Sequence, residues 1–298
     1  MILFLSRLTR KQLFSMRFML SRLVLFMYAL AIFANAVHAQ TPGSEPLSGQ
    51  QIMTRSYEIR RVEDETAVLN FLITKPDGKE ERVTYSMLWK NNHGKNGFDQ
   101  KVIFVTDFPP SRQGVAYMGY LRQPGSGARD EEWIYLPELA MVRRIAHRNR
   151  DQSDDDEFAH SVLKREHLDP RPPQLDEHHL LNQETIGEKT FYKVESRLKP
   201  ADSRDAPFDK YHTWVETDSF RPKRVHFFAG NDNKPTLHMA ITWTQVNNEW
   251  VWKSVSAEDP RNGAKTTMNI KNIRVNTGLK DNVFSKRTLS RGVDRLMR

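Results

Sequence analysis

Apolar and polar residues alternate with a period of two through most of this chain, a pattern that suits a β-strand and not a helix. It is sharpest on either side of Pro76-Asp77-Gly78, in residues 66–75 and 79–90. Two turns fit that tripeptide, and they differ by one residue in register. A two-residue Asp-Gly loop pairs Val83 with Leu72 and Tyr85 with Asn70. A three-residue loop, with Gly78 left-handed after a type I turn, pairs Val83 with Phe71 and Tyr85 with Leu69. A slip of one residue turns every side chain to the other face, so the apolar pattern selects the second register. One face of the hairpin is then Leu69, Phe71, Val83, Tyr85 and Met87.

The same logic returns near the C-terminus. Leu237, Met239, Ile241 and Trp243 alternate with polar or small residues, and Asn247-Asn248 supplies a two-residue turn. That turn places Trp252 opposite Trp243 and Ser254 opposite Ile241. Further strands are expected at 101–107, 115–122, 133–136, 189–198, 211–217, 223–229 and 265–275, about eleven in all. Few helices accompany them. Leu47 to Arg61 reads as one helix that Ser48 can cap, with Ile52, Met53 and Tyr57 near one face. Residues 138–185 are irregular: a basic run is followed by an acidic one, then by a possible helix from Glu157 to Leu168, which Pro170 ends. This zone reads as a cover over one face of a curled antiparallel sheet, and the part after the leader as one domain, 40–298.

Residues 1–39 carry five basic side chains and no acidic one, then an apolar run from Leu23 to Phe33 and a small-residue site ending at Ala39. That is the form of a cleaved secretory signal peptide, with an uncleaved anchor as the alternative. A soluble protein of the periplasm is the expectation. The leader also explains most of the charge. The whole chain has 45 Lys+Arg against 37 Asp+Glu; without the leader's five it has 40 against 37, an ordinary balance. A nucleic-acid partner is therefore set aside.

Little in the sequence points to covalent chemistry. There is no cysteine, which excludes disulfides, thiolate zinc sites and a thiol nucleophile. No Gly-x-Ser-x-Gly elbow, phosphate loop, dinucleotide fingerprint or His-Glu-x-x-His is present. His178 and His179 are adjacent and point to opposite faces of any strand; His160 and His167 lie two helical turns apart. Solvated histidines account for both pairs better than a metal does. Asp151 to Val162 fails the EF-hand pattern at its sixth and twelfth positions. No catalytic, cofactor or metal residue is assigned, and no enzyme is expected.

What remains is a surplus of apolar surface on one face: Leu69, Phe71, Tyr85, Met87, Leu237, Met239, Ile241 and Trp243. Either the helix and the cover fill that face as an ordinary core, or they leave a slot for acyl chains. Burying a methylene yields ~0.8 kcal/mol, so a sixteen-carbon chain offers roughly 12 kcal/mol gross before the costs of binding. A carrier that must release such a cargo suits adaptable methionine and aromatic walls with few polar clamps. In the second reading those eight residues are the wall, and Ile52, Met53, Tyr57, Phe158 and Leu163 are candidates for the lid.

Two segments carry a family resemblance. Trp133 to Ile145 has the form W-x-Y-L-P-x-L-x-x-V-R-R-I, and Gly263 to Leu289 has the form G-x-x-T, then L-x-D-x-x-F-S, then L. With the order of elements, this resembles the outer-membrane lipoprotein-sorting proteins, in particular the larger LolA-like branch. The resemblance implies an unclosed half-barrel with helices over its concave face. It further implies a periplasmic carrier of lipid or acylated lipoprotein and an association with an RND-type membrane exporter. The same fold also serves sensors that bind a protein partner, which keeps a periplasmic interaction module open as the alternative function. Ser153 to Phe158 is strongly acidic where the family has small residues ending in Asp-Phe. Arg143 and Arg144 match the motif. They are candidates either for a lipid headgroup or partner contact, or for a structural pairing with Asp154–Glu157 or the sheet edge.

Overall fold

The computed structural model describes residues 46–59, 61–123, 126–145, 160–200, 206–230, 233–294 and 296–297. The leader 1–39, the acidic run 151–157 and Phe158 lie outside the described residues. From Ser48 onward the contacts define one compact unit.

The first hairpin takes the register that its apolar pattern demands. Gly78 is left-handed (φ 81°), its N–H donates to the Lys75 carbonyl, and Lys75 N–H donates to Lys79. Strands β1 (Asp64–Thr74) and β2 (Glu80–Asn91) then set Phe71 against Val83 and Leu69 against Tyr85. Strands β3 (Gln100–Phe108), β4 (Ala116–Leu121), β5 (Glu131–Leu136) and β6 (Met141–Arg144) continue the meander on one side. On the other side run β7 (Asp176–Ile186), β8 (Lys189–Leu198), β9 (Lys210–Glu216), β10 (Pro222–Phe228), β11 (Leu237–Val246), β12 (Glu249–Glu258) and β13 (Lys265–Val275). The two meanders are joined where the first strand pairs with the last. The order is β6-β5-β4-β3-β2-β1-β13-β12-β11-β10-β9-β8-β7, one thirteen-stranded antiparallel sheet that does not close into a barrel. Asp64 reinforces that seam. Its carboxylate accepts the N–H groups of Thr277, Gly278 and Leu279 and the Thr277 hydroxyl at 2.7–3.0 Å. Burial acts upward on this carboxyl, but those bonds hold it below its usual range.

Three points correct the sequence reading. There are two more strands than the expected eleven, β6 and β7. Strand β6 is a four-residue basic edge, formed because the Pro137–Leu139 turn ends in left-handed Ala140 (φ 46°). Strand β7 carries a bulge between Leu180 and Asn182 that breaks its alternation. In the second hairpin, left-handed Asn247 and Asn248 make the turn and Trp243 does face Trp252. Beyond it a bulge at Lys253 shifts the pairing, so Ile241 faces Val255 and not Ser254. The bulge brings Val255 and Ala257 onto the same buried face as Ile241. Third, only Arg165–Leu168 (α2) is α-helical among the described residues of the cover.

The first helix, α1 (Gly49–Tyr57), is shorter than expected and capped as expected. Ser48 Oγ accepts from Gln51 N–H, and the Gln51 side chain accepts from Ser48 N–H. Its N-terminus lies against β7 so closely that a Cβ on Gly49 would sit 2.7 Å from the His178 carbonyl oxygen. The larger core occupies the concave face, with Leu69, Phe71, Met87, Leu237 and Met239 in one cluster. A smaller core lies on the outer face under α3 (Lys286–Arg291).

Candidate functional site

Residues 160–176 cross the concave face as a strap, and its ties explain its position. Ser161 Oγ and Val162 N–H both donate to Thr266 Oγ1 on β13 at 3.2 Å, which seats Leu163 in the core with no exposed surface. At α2 the Arg165 guanidinium lies 3.1 Å from Asp130 and 3.3 Å from Glu132. Gln100 at the start of β3 donates to Asp169 (2.9 Å). At the far end Arg171 grips Asp176 with two nitrogens, at 2.9 and 3.0 Å, and Tyr211 on β9 donates its hydroxyl to the same carboxylate. Burial, and then the Asp176 charge, push the Tyr211 hydroxyl well above the ordinary tyrosine range.

Between this strap, α1 and strands β9 to β12 lies a cleft of about 110 Å³, open to solvent on one side. Its walls are mainly apolar: Met53 from α1, Phe208 before β9, Phe227 from β10, and Met239, Ile241 and Trp243 from β11. Tyr57 stands at the rim, its hydroxyl pushed up by burial and then by Asp99 and Asp169. His167 of the strap stacks on Phe208, lies tilted against Phe227 and accepts the Lys164 N–H on Nδ1. Burial drives this imidazole down to about 4, so it is neutral at pH 7.

The anticipated wall divides in two. Met239, Ile241 and Trp243 line the cleft, whereas Leu69, Phe71, Tyr85, Met87 and Leu237 belong to the core cluster of the same face and do not line it. Of the lid residues, Met53 and Tyr57 line the cleft. Ile52 is fully buried outside the cleft lining and Leu163 in the core under the strap. Arg143 and Arg144 stand on edge strand β6, at the opposite end of the sheet order from β9–β12. The Arg144 guanidinium is 3.7 Å from Glu131. Phe208, Tyr211, Val225 and Phe227 were not anticipated. Their signal is present as the alternation of Tyr211 with His212 and of Val225 and Phe227 with His226.

Two histidine readings also change. His178 is buried and bonded to Ser196 and to the Pro173 carbonyl, and His167 is half-buried among aromatic rings, so neither is solvated. His212, His226 and His238 face one another across β9, β10 and β11 on the outer face. Among the described residues no group of three or more His, Asp or Glu has ligand geometry.

A family model with the description "uncharacterized protein" matches residues 98–291. A DUF1329 family protein from Desulfovibrio piger superposes with a TM-score of 0.70 at 22% identity, covering 81% of this chain and 97% of that one. A Vibrio parahaemolyticus structure described as an outer membrane lipoprotein-sorting protein domain gives 0.68 at 20% identity, covering 81% and 98%. A LolA superfamily protein from Nitrosomonas europaea gives 0.58 at 18%, covering 81% and 99%. This chain belongs to the family of that model, and its fold is LolA-like. At these identities the likeness to solved structures speaks to the fold. No curated protein matches the chain.

The two segments that carry the LolA-like resemblance meet on the outer face, away from the cleft. Trp133 belongs to the buried cluster that holds Phe284 and Leu289, with Lys286 over its ring at 5.8 Å. Most of the family signature in this chain is therefore a packing signature. The exception is Thr266, whose hydroxyl holds the strap.

Proposed function

We propose that this protein is a periplasmic carrier that takes lipid or lipoprotein acyl chains into the cleft and passes them toward the outer membrane, as accessory to an RND-type lipid exporter. The observation that carries this reading is the cleft itself: an open, mainly apolar slot on the concave face of a LolA-like sheet. Met53 and Met239 give it walls that adapt to chains of different length and kink. The basic, acid-free leader supports the compartment. The Vibrio relative's description, a lipoprotein-sorting domain, supports the cargo class. Binding suffices for this role, and no covalent step is involved.

The test is native mass spectrometry on the protein taken gently from the periplasm, with organic extraction of what travels with it. A stoichiometric lipid or acylated peptide is the expected result. A protein that stays lipid-free after incubation with membrane-lipid vesicles, yet captures the periplasmic segment of a membrane protein, overturns the carrier and favours the interaction module.

A further inference from the structure

Among the described residues, two buried side-chain polar atoms have no hydrogen-bond partner: Thr213 Oγ1 and Trp252 Nε1. Both residues line the cleft. Buried polar groups are ordinarily satisfied, because leaving one without a partner costs free energy comparable to a lost hydrogen bond. Thr213 is only 2% exposed, and its neighbour on β9, Tyr211, already has its hydroxyl engaged by Asp176. The contrast across the second hairpin is sharper. The Trp243 indole donates to the Pro222 carbonyl at 2.8 Å, while that of Trp252, facing it, donates to nothing.

An indole N–H only donates, and a threonine hydroxyl donates or accepts. An occupant that satisfies both must therefore carry hydrogen-bond acceptors, and hydrocarbon has none. The charges around the cleft select the kind of acceptor. The acidic residues Glu166 and Asp169 line it, His167 is held neutral, and the guanidinium of Arg171 is bound bidentately by Asp176. Among the described lining residues, no uncommitted cation awaits an anionic head.

From this we infer that the cleft recognises neutral acyl carbonyls, as esters or amides, with Trp252 N–H and Thr213 O–H as the donors that locate them. The inference rests on the acyl-chain reading of the cleft and names its ligand class. Free fatty carboxylates and carbonyl-free alkyl chains are the ligands it excludes as preferred cargo.

The experiment compares matched probes in one displacement titration: a neutral diacylglycerol, the dialkyl glycerol ether of the same chain lengths, the free fatty acid, and an N-acylated peptide. For the wild type, the ester binds about threefold to tenfold tighter than the ether, the size of a hydrogen bond to a neutral group. Thr213→Val and Trp252→Phe each reduce the ratio of ester to ether affinity, and the double variant brings it to one. The peptide arm separates the two sources of the carbonyl, an ester lipid or an acylated protein. Equal affinity for ester and ether overturns the inference and leaves the acyl-chain reading standing; binding of no probe overturns that reading itself. If both variants are less stable without ligand and keep the ester preference, ordered water satisfies the two groups and the inference falls.

Discussion

The indoles of Trp243 and Trp252 stand edge to face, ring centroids 6.2 Å apart, and only Trp243 has its N–H bonded within the protein. Replacing either by phenylalanine removes a similar volume, so the difference between the two variants isolates the hydrogen bond. Trp243→Phe leaves the Pro222 carbonyl without its donor, whereas Trp252→Phe removes a group that has none. Urea denaturation of the unliganded protein should show Trp243→Phe to be less stable than Trp252→Phe by about 1 kcal/mol. Equal losses would mean that the Trp243 bond contributes nothing.

Met87 and Met239 looked equivalent in sequence and both are buried in one core cluster, but only Met239 lines the cleft. A glutamate at 239 can direct its carboxylate into the open cavity, where it repels acyl chains. Met239→Glu should abolish binding of a fluorescent acyl probe and keep a cooperative melt. Met87→Glu buries a charge with no partner and should lower stability by about 3 kcal/mol or more. The reverse pattern would show that the cargo lies under the strap and not beside it.

Asp176 is 1% exposed and holds Arg171 and Tyr211 together, which ties the end of the strap to β9. Removing one member leaves a buried charge without its partner. Asp176→Ala should cost about 3–5 kcal/mol, while Arg171→Met with Asp176→Leu should cost far less. Hydrogen exchange across residues 165–176 gives the local readout. If the double variant is as damaged as the single one, the charges are not the cause.

His167 gives a sign to the pH dependence. Its folded value is about 4, set first by burial and then by Lys164, against about 6.5 in an unfolded chain. Between those values the unfolded chain binds the additional proton, so stability rises with pH. The contribution is fully present above pH 6.5 and is lost as pH falls through 4, on the order of 3 kcal/mol. His167→Gln keeps an acceptor for Lys164 N–H and does not titrate. Denaturation at pH 7 and pH 4.5 should show a shallower loss in that variant. His226, also held down to about 4 by burial and by His238, keeps its part of the slope in both proteins. An unchanged loss in the variant would place the His167 proton elsewhere.

The fold was legible where a mistake has a large penalty. In the first hairpin a one-residue slip exposes Leu69, Phe71 and Val83 together, so the pattern names its own register. Bulges remove that penalty, and both the Ile241 partner and strand β7 were misread where one occurs. The cleft was half legible for a different reason. Inner-face residues alternate alike on β1 and β11. Which of them stays open depends on where the strap lies, and that is set by Thr266, about a hundred residues from the segment it holds. The orphan groups of Thr213 and Trp252 could not be read at all, since a missing partner is a property of packing and not of composition.

The seam between β1 and β13 has a consequence for how the chain is made. About 190 residues separate Thr74 from Lys265, so the pairing that joins the two halves is among the last that synthesis permits. Until then β1 offers a bare edge in the middle of what will become the sheet, and β12 offers another. A ribosome that stops short of residue 265 releases two half-sheets with sticky margins, and its product fails by clumping before it can fail by losing cargo.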